Sequence, residues 1–187
     1  MSTAARNGIV LLLVLVMCGA CGGPPPQAPP ASASAAPSSS TTGLGGTDLA
    51  WTQLMIPMTA QAAALLDLVA ARAGDAGFAA YAARLAPAYR QETERLRAFL
   101  AAAGVPETNE HEGHDLPGMV TATDLTALGA QSGGAFDASA AGQLREEMEQ
   151  SVRLARSEQQ AGRDAGCKAI AADIESARTR ALAEFAS

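Results

Sequence analysis

Sulfur and imidazole side chains are the groups in this sequence that could hold a metal ion. The 187 residues include six methionines, two histidines and three cysteines, and two of the methionines, Met1 and Met17, stand near the N-terminus. Thioether sulfur is a soft ligand that suits Cu(I), whereas imidazole also serves Cu(II) and zinc. Met55 and Met58 are three residues apart, so on a helix they share a face. Binding of a soft metal is therefore the first chemistry to consider.

Both histidines stand in one short segment, His111-Glu112-Gly113-His114, next to Glu110 and Asp115. A His-x-x-His pattern flanked by acidic residues could hold zinc or Cu(II). However, the segment contains glycine, it is expected to be a loop, and no cysteine or third histidine is near it in the sequence. We therefore do not expect an isolated metal site there.

The three cysteines do not make a disulfide framework, because two of them stand at the end of an expected export signal. The N-terminus carries one positive charge, Arg6, and residues 9–17 form an apolar run that is too short to cross a bilayer core of about 30 Å. This order of a positive front, a short apolar core and small residues is typical of a signal peptide. Cys21 follows Gly19 and Ala20, so we expect it to be the lipid acceptor and the first residue of the mature chain.

Two alternatives to this assignment concern the signal itself. Cys18 could be the lipid acceptor, but the bulky Met17 directly before it is unfavourable. The signal could also be cleaved without any lipid being attached. The third cysteine, Cys167, is next to Gly166 near a predicted helix start, and we expect a small half-buried side chain there instead of a reactive thiol.

Composition divides the chain into three parts. Residues 1–20 are the expected lipoprotein signal peptide, residues 21–46 a lipidated and disordered tether, and residues 47–187 one domain. The tether consists of Pro, Ala, Ser, Thr and Gly and offers almost nothing that could be buried. We expect the protein to be secreted across the cytoplasmic membrane and held on its extracytoplasmic face by the lipid at Cys21.

The formal net charge of −6 bears on possible partners. Nucleic-acid binding requires a basic surface, so no nucleic-acid partner is expected. The membrane, reached through the lipid anchor, is the expected partner, and the sequence leaves any protein partner open.

The domain is predicted to be all-α, because alanine dominates it and aromatic residues are scarce. Four long helices are expected, each opened by an aspartate N-cap. The caps are Asp48, Asp75, Asp137 and Asp164, and glycines at 74, 104 and 162 end the first three of these helices.

Between the second and third long helices we expect a loop over 107–119 and a short helix. Thr121 or Thr123 opens that short helix, which runs to about Gln131 and is ended by Ser132-Gly133-Gly134. Two helical hairpins joined by a longer crossover make a four-helix bundle.

Pro57 and Pro87 fall inside the first two predicted helices. Each removes a backbone donor and is expected to kink its helix, which frees the carbonyl groups of Gln53 and Ala83. Two kinked helices in one bundle favour a cavity or a binding site near the kinks.

Several segments resemble the bacterial family called domain of unknown function 305. They are Leu54–Pro57, His114–Thr121, Asp124–Leu128 and Gly133–Asp137. Their order and spacing are similar to the family's over Leu49 to Phe185. The resemblance implies a ferritin-like four-helix bundle, often a secreted lipoprotein, and a link to copper binding and tolerance.

In that family each half of an internal duplication typically carries Met-Ile-x-His-His. Here Met58-Thr59 stands where the first histidine pair belongs, and Glu147-Met148 stands where the second belongs. Replacement of histidine by methionine would restrict the selectivity of a copper site to Cu(I). The hypothesis is a copper site built from Met55, Met58 and Met148, with Met119 and His114 reaching in from the loop.

The alternative is a metal-free structural or partner-binding lipoprotein without a cofactor. Methionine fills irregular gaps in a core, especially next to a proline kink. In that interpretation Met58 and Met148 are apolar replacements for lost ligands. Glu147 then faces solvent, together with Glu146 and Glu149.

No enzymatic activity is expected. A di-iron bundle requires Glu-x-x-His on its helices, and no predicted helix of this chain contains a histidine. Gly133-Gly134 is not followed by the lysine of a phosphate-binding loop. The Gly-x-Ser-x-Gly pattern that would position a serine nucleophile is also missing from the sequence.

Overall fold

A computed structural model describes residues 44–109 and 115–185 of the chain. These residues form five helices: α1 Gly46–Arg72, α2 Ala76–Ala102, α3 Ala122–Gly129, α4 Gly133–Ala161 and α5 Ala165–Phe185. No strand occurs in the described ranges. The predictions for the signal peptide, most of the tether, Cys18, Cys21, His111 and His114 fall outside the described residues.

The four long helices pack as two hairpins. α1 packs along α2, α4 packs along α5, and the two hairpins meet mainly through α1 and α4. The short helix α3 lies between the hairpins in the chain and contacts α1 and α4. The predicted all-α bundle, with a central loop and a short helix, is confirmed.

The core of the bundle consists of two clusters of buried side chains. The first core cluster includes Leu66, Tyr89, Phe136, Leu144 and Ala181. The second core cluster includes Trp51, Met55, Leu96, Ala155 and Ile170. Each cluster takes residues from all four long helices, so the helices enclose a shared interior along the length of the bundle.

α1 is the most apolar of the four long helices. By length and composition alone it could cross a membrane. Met55, Leu65 and Leu66 are nevertheless completely buried inside the bundle. The apolar character of α1 is therefore explained by its place in the core, where α2 and α4 cover it.

Three of the predicted helix starts are confirmed by their hydrogen bonds. The Asp75 carboxylate accepts from the backbone N–H of Phe78 at 2.7 Å, and that of Asp164 accepts from the backbone N–H of Cys167 at 2.9 Å. Thr121 and Asp124 form a reciprocal capping box at the start of α3. In each case the acceptor and the donor are three residues apart, as helix capping requires.

The prediction that Asp48 caps its own helix is wrong. α1 begins earlier, after Gly45, and no side chain caps it. Asp48 lies in the first turn, where its Oδ1 accepts from the backbone N–H groups of Arg163 and Asp164, both at 2.9 Å. It therefore joins the start of α1 to the turn between α4 and α5.

The prediction for Asp137 is wrong for the same reason. α4 begins at Gly133, so the glycine pair expected to end α3 lies in the first turn of α4, and α3 already ends at Gly129. Asp137 accepts from the backbone N–H groups of Gly74 and Asp75, each at 3.0 Å. It therefore joins α4 to the turn between α1 and α2.

Pro57 and Pro87 lie inside α1 and α2, as predicted. Close to Pro57 along the chain, the Gln53 side chain donates through Nε2 to the Thr108 hydroxyl at 2.7 Å. This bond fastens the start of the central loop to α1. The helix kinks expected at the two prolines stay predictions.

Candidate functional site

The residues proposed as copper ligands are divided between the two core clusters. Met55, Met58 and Met119 belong to the second core cluster, whereas Met148 belongs to the first. All four methionines are more than nine-tenths buried. His114 lies outside the described residues. The structure thus groups three of the proposed ligands and assigns Met148 to a different part of the core.

Met148 is engaged by a buried tyrosine. The Tyr81 hydroxyl lies 3.7 Å from the Met148 sulfur, and its shorter bond, 2.8 Å, goes to the carbonyl oxygen of Ala181. Burial raises the pKa of Tyr81 to about 12. Because this phenol stays protonated, its hydrogen is available to the neighbouring carbonyl and thioether.

Glu147 stands at a position where the family resemblance implies a histidine, and it is completely buried. The prediction that it faces solvent is wrong. Its Oε2 accepts from the Tyr89 hydroxyl at 2.8 Å, and its Oε1 accepts from the Ser151 hydroxyl at 2.7 Å. Burial raises the pKa of Glu147, while Arg178 and these two hydrogen bonds act in the opposite direction.

Arg178 supplies positive charge beside Glu147. The residue is 1% exposed. Its guanidinium lies 3.4 Å from the centre of the Tyr89 ring and donates to both oxygens of Glu92, at 3.1 and 2.6 Å. Its Nε lies 3.9 Å from Oε1 of Glu147. We call Tyr89, Glu92, Glu147, Ser151 and Arg178 the buried ion network.

The buried ion network joins α2, α4 and α5, and the sequence did not predict it. One signal was available, because Glu147 lies three residues after Leu144 on the apolar stripe that continues to Ser151 and Val152. A charged residue on such a stripe is buried only when other elements supply its partners. Guanidinium donates hydrogen bonds and does not lose its proton in proteins, so Arg178 is not a metal ligand.

The two positions where the family's first histidine pair would stand, Met58 and Thr59, are also buried. Met58 is 1% exposed and Thr59 is completely buried. The Thr59 hydroxyl has no hydrogen-bond partner among the described residues. Neither side chain has a nitrogen atom that could bind a metal. The Met58 thioether is therefore the soft ligand that these two positions offer.

Met119 also lines a small pocket under the central loop. The pocket has a volume of about 140 Å³, and its other lining residues include Asp115, Asp124, Gln143 and Glu146. A thioether and carboxylates at one pocket could face a cation. This is the place where the central loop brings a proposed copper ligand to the surface of the bundle.

A larger groove lies at the end of the bundle where α1 ends and α2 begins. It has a volume of about 610 Å³ and is lined by Phe78, Tyr81 and Phe185, with Ala138 and Ala141 of α4. Three acidic residues also line it: Asp75, Asp137 and Glu184. The Phe185 ring centre is 5.7 Å from that of Phe78 and 5.3 Å from that of Tyr81. We call this surface the aromatic groove.

Cys167 is more buried than the sequence suggested. It is completely buried in the second core cluster, and burial raises the pKa of its thiol to about 12. Nucleophilic attack requires the thiolate, which this environment disfavours. The expectation of a thiol without special reactivity agrees with this geometry.

The sequence and the fold of this chain were compared with those of known proteins. Residues 48–187 match the family model described as "Domain of unknown function (DUF305)". No match to a curated protein was found. A crystal structure of a presumed secreted DUF305 protein from Streptomyces coelicolor is similar, with a TM-score of 0.66 and 17% identity over 74% of this chain and 89% of that one.

A second crystal structure, of a DUF305 fragment from Deinococcus radiodurans, is similar to the same degree. Its TM-score is 0.66, and its identity is 14% over 76% of this chain and 95% of that fragment. At such low identity these likenesses concern the fold. They agree with the bundle described above.

Proposed function

This chain belongs to the DUF305 family, and from that premise we propose that it is an extracytoplasmic, lipid-anchored bundle that binds a protein partner, without copper and without catalysis. The sequence supports export and anchoring through its apolar run at 9–17 and through Cys21. The similar protein from Streptomyces coelicolor is also a presumed secreted protein.

The buried ion network is the observation that supports a function without copper, which we call the copper-independent part of this proposal. Glu147 stands at a position where the family resemblance implies a metal ligand, and Arg178 is fixed beside it. A metal cation there would approach a guanidinium that keeps its charge and is buried away from water. The carboxylates are therefore balanced by a cation that belongs to the protein.

The aromatic groove supports the partner-binding part. Phe78, Tyr81 and Phe185 line it, and aromatic side chains dominate the energetics of protein interfaces. The groove lies at the opposite end of the bundle from the start of α1, where the chain arrives from the tether. We propose that it receives apolar side chains of another protein.

The copper-independent part is tested by titrating the full-length chain, purified in detergent, with Cu(I) against a competing chelator. A Met58→Leu, Met148→Leu double variant is titrated in parallel. We expect the two proteins to bind copper equally weakly. Tight one-to-one binding by the original chain that the double variant loses would overturn the proposal.

The partner-binding part is tested by placing a photo-crosslinking amino acid at Ala141, which lines the groove, in living cells. Glu149, exposed on the same helix, is the control position. We expect one protein to be crosslinked from Ala141 and not from Glu149. The purified partner should then bind at least about tenfold more weakly to a Phe78→Ala variant. Identical crosslinks from both positions, or an affinity that Phe78→Ala leaves unchanged, would contradict the proposal.

A second candidate function is Cu(I) binding, favoured by the grouping of Met55, Met58 and Met119 in one core cluster. His114 would complete this set from the loop. Separate Met58→Leu and Met148→Leu variants distinguish the two candidates. Copper affinity that falls with Met58→Leu and not with Met148→Leu would establish this second function.

A further inference from the structure

A separate group of buried polar side chains lies at the end of the bundle where α1 begins. Asp48 comes from the first turn of α1, Glu158 from the last turn of α4 and Cys167 from the first turn of α5. All three are at most 1% exposed. One carboxylate oxygen of each acid and the Cys167 sulfur lie within 4.8 Å of one another.

Local contacts hold two of these side chains in place. Oδ1 of Asp48 accepts the two backbone N–H groups of Arg163 and Asp164. The Cys167 sulfur lies 3.5 Å from the Thr52 hydroxyl oxygen and 3.8 Å from the carbonyl oxygen of Asp48. These contacts leave Oδ2 of Asp48 free to face the other two side chains.

Glu158 is folded back against the end of its own helix. A Cβ on Gly162 would lie 2.1 Å from Oε1 of Glu158, so this conformation requires glycine at position 162. The carboxylate is thereby kept in the interior, beside Asp48 and Cys167. A different residue at 162 would displace it.

Three carboxylate oxygens of this group have no hydrogen-bond partner among the described residues: Oδ2 of Asp48 and both oxygens of Glu158. Buried polar atoms are almost always hydrogen-bonded, and a buried charge needs a counter-charge. Burial raises the pKa of Glu158. For Asp48, burial acts to raise the pKa, but the hydrogen bonds from Asp164 and Arg163 prevail and lower it. The contact between the two carboxyl groups also lowers the pKa of Asp48 and raises that of Glu158, so without a cation Glu158 holds its proton beside the charged Asp48.

We propose that Asp48, Glu158 and Cys167 form a binding site for a divalent metal ion of the zinc type. Carboxylate oxygen and thiolate sulfur together suit Zn²⁺, whereas Mg²⁺ and Ca²⁺ prefer oxygen alone and Cu(I) prefers sulfur. The three side chains supply one ligand each, so in a tetrahedral site the fourth position is open to a water molecule. This site is distinct from the methionines and from the buried ion network, and it does not depend on the proposed partner binding.

The spacing of the donors is close to what zinc requires. With Zn–O of about 2.1 Å and Zn–S of about 2.3 Å, donors in a tetrahedral site are about 3.6 Å apart. The three donors lie within 4.8 Å of one another, so the widest pair has to close by at most about 1.2 Å on binding. Binding releases the Cys167 thiol proton to solvent, along with any proton on Glu158, so affinity rises with pH.

A metal ion at this site would fasten three helices together. It would join the start of α1 to the turn between α4 and α5, next to the bonds that Asp48 already makes there. The site would thus be a structural metal site that stabilises the end of the bundle where α1 begins.

Cobalt(II) is the probe for this site, because cobalt bound by thiolate shows a charge-transfer absorption band in the near ultraviolet. The full-length chain, purified in detergent and treated with chelator, should show this band at one equivalent of cobalt, and zinc should abolish it. Cys167→Ser should remove the band, which excludes Cys18 and Cys21 as its source. Glu158→Gln should weaken binding by at least the roughly 10–100-fold that the loss of a supporting partner costs.

Three controls distinguish metal binding at this site from binding elsewhere on the chain and from loss of the fold. Glu149→Gln, an exposed acid on the same helix as Glu158, should bind as the original chain does, and so should a variant with His111 and His114 changed to alanine. Circular dichroism checks that Glu158→Gln, which replaces a carboxylate with an isosteric amide, stays folded.

The melting temperature gives a second readout. Zinc should raise it for the original chain and for Glu149→Gln, and not for Cys167→Ser or Glu158→Gln. The proposal is overturned if the original chain shows neither the cobalt band nor a rise in melting temperature. It is also overturned if zinc raises the melting temperature of all variants equally.

Discussion

Arg178 balances two carboxylates inside the bundle, Glu92 directly and Glu147 at slightly longer range. Removing one partner of a buried ion pair leaves the other charge uncompensated, which costs about 3–5 kcal/mol. We therefore expect Arg178→Leu to lower the free energy of unfolding in urea by about this amount. Arg156→Leu is the matched control, since Arg156 pairs with Glu175 and its side chain is 58% exposed. It should cost at most about 1 kcal/mol, and equal losses in the two variants would contradict the role given to the network.

We expect the stability of the fold to depend on pH through the protonation of Glu158. Burial raises its pKa above the ordinary value of 4.5, so the folded protein holds this proton more tightly than the unfolded chain does. The stabilising contribution is complete below about pH 4.5 and is lost as the pH rises through the folded-state pKa. With chelator present, Glu158→Gln should therefore melt higher than the original chain at neutral pH, and this difference should shrink toward pH 4.

The reverse trend in this comparison would show that Glu158 is stabilised as a charged group. Asp48 titrates in the opposite sense, since its pKa is lowered and its contribution is lost as the pH falls. Glu158 is one of the groups that lower the pKa of Asp48, so Glu158→Gln also changes the titration of Asp48, and the comparison measures the pair of carboxyl groups together. Thermal unfolding followed by circular dichroism at several pH values is sufficient to decide.

The burial of individual residues could be predicted only in part. Met55 and Met58 are apolar and lie on a helical stripe, so their place in the core follows from the spacing alone. Glu147 lies on a similar stripe, but its burial depends on Tyr89 and Arg178, which other helices supply. No local pattern encodes such a partnership. The Asp48, Glu158 and Cys167 group was missed because its members come from three different helices.

The central loop is fixed to α4 through Gly118. This residue has φ +76°, and a Cβ there would lie 2.4 Å from Cβ of Gln150 and 3.0 Å from the carbonyl oxygen of Glu146. Gly118→Ala should lower the free energy of unfolding by about 1–3 kcal/mol from the backbone conformation, and further from the steric clash. Urea unfolding measures this loss.

Gly142→Ala is the matched control for this substitution. Gly142 lies within α4, and a Cβ there would meet nothing within 4 Å. Alanine is favoured over glycine in a helix by roughly 0.5–1 kcal/mol, so this variant should be slightly more stable than the original chain. Similar losses in both variants would contradict the close contact of the loop with α4.

The helix boundaries show why some caps could be predicted and others could not. Asp75 and Thr121 bond to backbone groups three residues ahead, which is a local pattern that a sequence displays. Asp48 bonds to a backbone group 115 residues along the chain, and Asp137 bonds to the preceding hairpin. An aspartate near a helix start is favourable in both situations. Its actual partner is therefore decided by tertiary packing.

At the scale of the whole molecule, neither hairpin encloses a core by itself. Both core clusters combine residues of α1 and α2 with residues of α4 and α5. Burial of this apolar surface is the main driving force for keeping the hairpins together. The sequence predicted the two hairpins from their local signals, whereas their division into two shared clusters depends on how α1 packs on α4.

The connection between the hairpins should therefore be dispensable once the protein has folded. A protease recognition sequence inserted after the exposed Asn109 would let the folded chain be cut between α2 and α3. We expect the two pieces to elute together in size-exclusion chromatography and to keep their helical circular dichroism, because the shared clusters hold them. The same insertion after Gly162 should instead lower the melting temperature, since it separates the end of α4, which carries Glu158, from the Asp48 contacts at Arg163 and Asp164. Pieces that separate and lose helicity after cleavage at 109 would mean that the loop, and not the shared core, keeps the hairpins associated.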